Sequence, residues 1–316
     1  MRTRTLVIGE SLIDVVQRPD GSTEEYVGGS PANVAVGLAR LGHDVTFATL
    51  LGDDERGARI AEYLAGEGIS LVEGNVAPIG SPTSVATSTL DSTGAAAYRF
   101  DLTWELPALP PLDGLAHVHT GSVAATLEPG ASAVLAAIQS ARAGATISYD
   151  PNLRPSLMGY PHEVRAKVEA LIGLSDVVKA SEEDIAWLYD EAPISDLLRL
   201  WGQLGPALTV VTRGGSGVVV GLSISGELTS VDVPDVPVVD TVGAGDTFMA
   251  GLLSGLLDAG LLGGIQSRER LRSASLADVR PAVDRALACA AFSVSRPGPN
   301  PPRLVELGAP SPPARP

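Results

Sequence analysis

Three segments carry the residue types from which a reaction could be built. Asp240-Thr-Val-Gly-Ala-Gly-Asp246 follows a β-type run, Val231 to Val239, expected to be a strand, and leads into a helical pattern. Gly243 and Gly245 let the backbone turn sharply and approach a ligand closely. The first N–H groups of the helix that follows lack intrahelical partners and sit at the positive end of its dipole. With Ala244 between the glycines, the segment reads as an anion site that needs no lysine. Asp246 lies inside that turn, where a carboxylate would compete with an anion for the same donors. It makes chemical sense facing an incoming nucleophile, as its base. A helix N-cap after a glycine-rich turn is the purely structural alternative.

The second segment is Gly28-Gly-Ser-Pro-Ala-Asn33, which opens a helix at Pro31. Gly28 and Gly29 permit close backbone approach, and Asn33 offers a donor and an acceptor to a hydroxyl-rich ligand. The third is Gly9-Glu-Ser-Leu-Ile-Asp14, just past the first strand, where ligands bind in open α/β sheets. Asp14 is suited to accept hydrogen bonds from two hydroxyls. Better-known phosphate motifs are missing. The only lysines, Lys167 and Lys179, follow Ala166 and Val178, so no P-loop exists, and Phe248 stands where a dinucleotide fingerprint needs glycine. His117 and His119 alternate on a strand, but no third ligand is placed by motif, which favours core histidines over a metal site. Trp104 and Phe100 could stack on a ligand or pack in a core.

Together, Gly28–Asn33 and Asp240–Asp246, in this order and at this separation, resemble the two signature regions of the ribokinase-like (PfkB-type) carbohydrate kinases. The resemblance covers nearly the whole chain. It implies a three-layer α/β/α fold with a central, mostly parallel sheet and a small β-sheet lid. It also implies phosphoryl transfer from Mg-ATP to a sugar hydroxyl. By position, Asp246 is similar to the family's base, Gly243, Ala244 and Gly245 to its anion hole, and Asp14, Gly28, Gly29 and Asn33 to its sugar contacts. Thr212-Arg-Gly-Gly-Ser-Gly217 resembles the nucleotide loop, with Thr212, Gly214 and Gly217 as contacts. The stretch around Ala290–Gly298 resembles the adenine wall, with Ala288 and Ser295 as nucleotide contacts. Lys179-Ala-Ser-Glu-Glu-Asp184 stands at the family's Asn-x-x-Glu motif, which implies Lys179 near the nucleotide and Asp184, or its rival Glu183, near Mg²⁺. A capping box is the other reading of Ser181 and Asp184. Asp240 and nearby carbonyls could hold a monovalent cation such as K⁺.

Asp150-Pro-Asn-Leu-Arg-Pro155 resembles a stretch frequent in the fructokinase and 2-keto-3-deoxygluconate kinase branches. It implies Asn152 at the substrate and Arg154 at the transferring phosphoryl group or the substrate, since Arg can form paired hydrogen bonds to phosphate. Fructose is the favoured substrate. 2-Keto-3-deoxygluconate, with Arg99 facing its carboxylate, ribose and nucleosides are the alternatives, and a non-catalytic sugar-binding relative is the alternative of another class. A homodimer through the lid is expected.

The elements that must position these residues alternate short β-rich runs with helical stretches, the pattern of a parallel sheet with crossover helices. Strands are expected at 5–9, 45–50, 116–120, 146–150, 176–179 and 208–212. Helices are expected at 31–41, 55–66, 130–142, 162–173, 182–189 and 196–204, from near 243, and over about 281–293. Segments 23–27 and 83–104 read as the lid, with a hairpin turn at Asp91–Gly94. Residues 1–22, 28–82 and 105–302 then form the α/β body, and 303–316 a Pro-rich tail. Against 22 Lys and Arg stand 37 Asp and Glu in 316 residues, a formal charge of −15 that repels nucleic acid. One cysteine, Cys289, excludes a disulfide framework. No run reaches the length of a membrane span, and a cytoplasmic protein is expected.

Overall fold

The computed structural model describes residues 4–90, 96–109, 111–190 and 192–308, without the side chains of residues 90 and 96–98. The first half of the chain forms β1 (Arg4–Ile8), β2 (Leu12–Gln17), β3 (Thr23–Gly28), α1 (Ser30–Arg40), β4 (Asp44–Ala48), α2 (Glu55–Gly66), β5 (Ser70–Leu71), β6 (Val85–Leu90), β7 (Ala96–Asp101), β8 (His117–Gly121) and α3 (Gly130–Ala141). There follow β9 (Thr146–Asp150), α4 (Pro155–Met158), α5 (Pro161–Leu174), β10 (Val177–Ser181), α6 (Glu182–Tyr189) and α7 (Ile194–Leu204). The chain continues through β11 (Leu208–Thr212), β12 (Val218–Leu222), β13 (Leu228–Val231), α8 (Ala244–Asp258), α9 (Ile265–Arg272) and α10 (Leu276–Val294).

Nine strands make one sheet in the order β13-β12-β11-β10-β9-β8-β1-β4-β5. It is parallel from β11 to β5, and β12 and β13 add an antiparallel edge. Parallel strands buried on both faces alternate their side chains between two cores. Val7 packs with α1, α8 and α10 on one face, while Leu6 and Ile8 pack with α3 and α5 on the other. This three-layer arrangement is the one expected.

The polar residues of β8 and β9 face the α8 side. His117 pairs with Thr146 and Ser148, each at 2.9 Å, and His119 shares Ser148 at 2.9 Å. Burial lowers both imidazoles to about 3, so they stay neutral. Among the described residues no group of three or more His, Cys, Asp or Glu is arranged to hold a metal. Trp104 is likewise a core residue, its indole donating to the Ala124 carbonyl at 3.1 Å.

The second sheet has four strands in the order β3-β2-β6-β7. Its membership corrects one expectation, since Leu12–Gln17 was assigned to the body and instead pairs between β3 and β6. Ile13 and Val15 are the reason. Their alternate positions bury against the core that includes α2, a two-residue period that only a strand can satisfy. This sheet is tied to the body at two points. Glu25 of β3 binds Arg56 and Arg59 of α2, and Asp54, the N-cap of α2, accepts the backbone N–H and hydroxyl of Thr83.

Two further expectations change. The run Val231–Val239 is strand only to Val231, because Pro234 and Pro237 offer no N–H to a ladder. The last long helix begins at Leu276 rather than near 281. Ser275 and Asp278 cap it reciprocally, and Pro281 falls inside. The expected turn Asp91–Gly94 and residues 309–316 of the tail lie outside the described residues. No described helix is long and apolar enough to cross a membrane.

Candidate active site

The carboxyl ends of β1, β9, β10 and β11 meet the amino ends of α1 and α8, and nearly all the chemistry-bearing residues gather there. Gly243 caps α8 with φ 73°, a left-handed conformation, and a Cβ on it would lie 2.6 Å from Pro299. Only glycine is free of strain in that position. Asp246 follows in the first turn and is 7% exposed. It does not cap the helix. Its carboxylate accepts Ser30 Oγ at 2.7 Å, Asn33 Nδ2 at 2.8 Å and Asn152 Nδ2 at 3.3 Å. Ser30 and Asn33 are one helical turn apart at the start of α1, so that helix presents both donors to one carboxylate.

Asn152, with φ 38°, joins two functional groups. Its amide nitrogen reaches Asp246, while its oxygen accepts Arg154 Nη1 at 2.7 Å. The same Nη1 also donates to the carbonyls of Asn152 and Leu153. Burial raises the Asp14 carboxyl to about 6; Arg154 lowers it and Asp246 raises it further, which places all three groups within one field. Gly28 lies directly beneath Asp14, since a Cβ there would be 1.9 Å from Asp14 Oδ2. Gly29, at φ 105°, forms the turn into α1.

On the other side of the 243–245 glycine turn, Lys179 is 3% exposed and donates to Asp150 Oδ2 at 2.7 Å. Its Nζ would be 3.1 Å from a Cβ on Gly245, so the ammonium lies against the turn itself. Burial alone would lower its pKa, but the Asp150 carboxylate more than offsets this and holds the amine charged. The 212–217 loop leaves β11 beside this pair. Thr212 Oγ1 donates to Ala180 at 3.4 Å, Gly214 is exposed at φ 51°, and Gly217 turns at φ 88° against Val231. Asp240 accepts the N–H groups of Val242 and Gly298, both at 2.9 Å, and Val239 donates to Val294. The glycine turn is thereby pinned to the end of α10, where Ser295 donates to Phe292. Ala288 is half-buried on the same helix.

Two sequence-based assignments do not survive this geometry. Asp184 is consumed as a structural group: Oδ1 accepts Leu153 N–H at 2.6 Å, and Oδ2 accepts the N–H and hydroxyl of Ser181, both at 2.8 Å. It caps α6 and holds the 150–154 loop, leaving exposed Glu183 as its rival for a metal. Arg99 stands on the face of its sheet opposite Asp14. Asp14, Ala86 and Phe100 are in register across β2, β6 and β7, whereas Arg99 aligns with Thr87 and Val15, on the α2 side. Sequence reasoning missed Ser30, although it lies inside the Gly28–Asn33 motif, and Glu10, a fully buried acid at the end of β1.

The two glycines of the turn make separate predictions. Gly243→Val should cost about 1–3 kcal/mol from backbone strain alone, with the Pro299 clash added. Gly245→Val, by contrast, meets the end of a flexible lysine and should keep most of its stability while losing nucleotide affinity. Urea unfolding with separate calorimetric titrations of ATP and sugar checks both. Equal loss of ATP and sugar binding by Gly245→Val would refute its place in an anion site.

The comparisons with known proteins agree with this geometry. The model of the pfkB family of carbohydrate kinases matches residues 2–305. The chain is 35% identical to a fructokinase of Klebsiella pneumoniae over 269 residues, 83% of this chain and 87% of the relative. A crystal structure of fructokinase with bound ATP from Xylella fastidiosa superposes with a TM-score of 0.83 at 25% identity, covering 97% of this chain and 98% of that one. A fructokinase double mutant from Vibrio cholerae O395, in fructose, ADP and potassium ion bound form, superposes with a TM-score of 0.76 at 27% identity, covering 94% of each chain. With a buried carboxylate beside a glycine-rich turn at a helix amino end, a ribokinase-like fold, and residues 2–305 matched by the family model, this chain is a member of the pfkB family of carbohydrate kinases, an enzyme that transfers phosphoryl groups to sugars.

Proposed function

We propose that this kinase phosphorylates D-fructose to fructose 6-phosphate at the expense of Mg-ATP. The observation that carries the reading is the carboxylate of Asp246, held by Ser30, Asn33 and Asn152 at the amino end of α8. In-line transfer needs a base on the acceptor hydroxyl and positive potential on the phosphoryl oxygens. Asp246 takes the hydroxyl proton as the sugar oxygen attacks the γ-phosphorus. The N–H groups of Gly243, Ala244 and Gly245, with the Lys179 ammonium against them, stabilise the charge that develops. Asp14, Gly28, Gly29 and Asn33 hold the sugar, Arg154 and Asn152 the reacting end, and Thr212, Gly214, Gly217, Ala288 and Ser295 the nucleotide.

The donor set suits a divalent cation that arrives with the nucleotide, because Mg²⁺ is commonly held by substrate phosphates and one or two carboxylates. Glu183 is the carboxylate assigned to it, since Asp184 is occupied. When bound, the ion neutralises phosphate charge. The loop that Asp240 pins would hold a monovalent cation through its carbonyls, a reading supported by the potassium ion in the Vibrio cholerae relative. The sheet of β2, β3, β6 and β7 acts as a lid over the sugar. Among the described residues both of its outer strands leave an edge open to pairing, and a second copy of the chain is the partner we assign to it.

Coupled ADP release over a panel of fructose, ribose, 2-keto-3-deoxygluconate and nucleosides tests the substrate. A kcat/KM for fructose below that of another panel member would overturn it. The lid faces give a sharper expectation. Phe100→Ala should raise the KM for sugar about tenfold, the effect of removing roughly 1.4 kcal/mol of contact. Arg99→Ala, on the α2 face, should leave KM unchanged.

A further inference from the structure

Residues 298–301 leave the end of α10 and meet the active site at two points. Gly298 donates its N–H to Asp240 at 2.9 Å. Pro299 backs the glycine turn, since a Cβ on Gly243 would lie 2.6 Å from Pro299 Cβ and 3.8 Å from Asn33 Nδ2. That same Asn33 nitrogen holds the Asp246 carboxylate at 2.8 Å. The place of Pro299 therefore bears directly on how the turn sits beside Asp246.

The segment is clamped at its far end by α1. Arg40 Nη1 donates to Asn300 Oδ1 at 2.7 Å and to the Pro301 carbonyl at 2.8 Å, while Nη2 donates to Glu67 Oε1 at 2.6 Å. The side chains of Arg40 and Glu67 are 13% and 9% exposed, and Glu67 takes Arg303 as a second cation at 3.0 Å. A guanidinium suits this task, because its planar fork bonds several partners in fixed directions at once. Prolines at 299, 301 and 302 fix φ at three of the positions from the turn to the clamp and just past it. The strap therefore has little freedom between Arg40 and Gly243.

The clamp shares a face of α1 with the supports of Asp246. Ser30, Asn33, Gly37 and Arg40 are spaced three, four and three residues apart, so they form one stripe along the helix. Ser30 and Asn33 hold the carboxylate. A Cβ on Gly37 would lie 2.5 Å from Ala250 of α8 and 3.5 Å from Pro301, so α1, α8 and the strap are in close contact there. Asn33 and Arg40 are about 10 Å apart along the axis at 1.5 Å per residue. One rigid helix thus sets both the carboxylate and the backing of the glycine turn.

We propose that Arg40 is a positioning residue: by clamping the 298–301 strap to the stripe that carries Ser30 and Asn33, it keeps the glycine turn in register with Asp246. The proposal rests on the kinase reading of the site. A small misplacement caused far from the chemistry can cost up to about 10²-fold in rate, and Arg40 acts at one remove through Pro299, so Arg40→Met should lower kcat about tenfold. The KM for sugar should stay within about twofold of wild type, the pattern of an interaction expressed only in the transition state. Asp14, Gly28 and Gly29 are placed instead by β2, β3 and the turn into α1.

The test is steady-state kinetics by coupled ADP release, with ATP and the panel sugar of highest kcat/KM, alongside melting curves. Wild type, Arg40→Met, Glu67→Gln and Asn300→Ala are compared. Arg40→Met leaves Glu67 its Arg303 partner, so a folded protein is expected. Glu67→Gln weakens the same ion pair but leaves both strap bonds, so its Tm should fall while kcat stays within about twofold. Asn300 is exposed, and its truncation removes one strap bond. Its kcat should fall about threefold with Tm unchanged. A purely structural role lowers the Tm of Arg40→Met and leaves its kcat at the wild-type level, which overturns the proposal. An equal fall of kcat in Glu67→Gln overturns it too, as does a higher KM for sugar with kcat unchanged. Should Arg40→Met fail to melt cooperatively, Asn300→Ala decides, and an unchanged kcat there is the overturning result. A wild type without sugar-dependent ADP release overturns the kinase reading and this proposal with it.

Discussion

Asp246→Asn should fold and bind both substrates yet lose about 10²–10⁴ of kcat, the range for removal of a general base. The expected stability change is small but adverse. The carboxylate accepts from three donors, and an asparagine turns one of its two acceptor atoms into a donor that faces Ser30, Asn33 or Asn152. One hydrogen bond of about 1 kcal/mol is at stake. Single-turnover measurement with saturating ATP and sugar isolates the chemical step. A variant with near-native kcat would remove Asp246 from the role of base, and with it the central step of the mechanism. Ser30→Ala is the companion experiment. It leaves the base in place but frees one oxygen, so its loss in kcat should be much the smaller.

Asp150→Ala should cost about 3–5 kcal/mol of stability, because it strands the buried ammonium of Lys179 without its partner. Lys179→Met should cost less, since the stranded carboxyl can take up a proton. The double variant should be more stable than Asp150→Ala alone, and a denaturant double-mutant cycle measures that coupling. The activities should not follow the stabilities. Lys179→Met removes positive charge from the side of the anion turn and should lower kcat about 10²-fold, comparable to the loss of one donor from an oxyanion hole. If the double variant shows the plain sum of the single costs, the pair is not a coupled unit. If Lys179→Met keeps full turnover, the ammonium supports the fold alone.

The body of the fold was legible because its signals are local. Pro31 after two glycines, the repeat of Val34, Leu38 and Leu41, and Gly42 beyond them define α1 within a residue at each end. The helix over 55–66 and the strands at 146–150 and 208–212 match to the residue for the same reason. The turn into α8 was legible too, since Gly-Ala-Gly-Asp before an apolar run marks a glycine-bounded helix start. What escaped was pairing. β2, β12 and β13 went unseen although Pro19-Asp20-Gly21 follows β2 and Ser225-Gly226 separates β12 from β13. A turn marks where a strand can end and not what it pairs with, and Val218–Leu222 is a strand because β11 lies beside it.

Within the site, residue type and spacing alone determined which groups can do chemistry: Asp246, Asp14, Asn33, the glycines and Arg154. These carry their chemistry in their own atoms, and short motifs place them next to loops or helix ends. Tertiary structure alone decided which partners they meet. Asp184 and Glu183 are adjacent acids in the sequence, yet the first is spent on Leu153 and Ser181 and the second faces solvent. Arg99 and Phe100 are neighbours too, but the two-residue period of β7 sends them to opposite faces, and only the register shows which of them shares a face with Asp14. Glu10 shows the same division most clearly. As a residue type it is an ordinary acid, and it becomes a buried one because the end of β1 and the Ser122 turn, far apart in the chain, converge there and exclude the water that would otherwise solvate its charge.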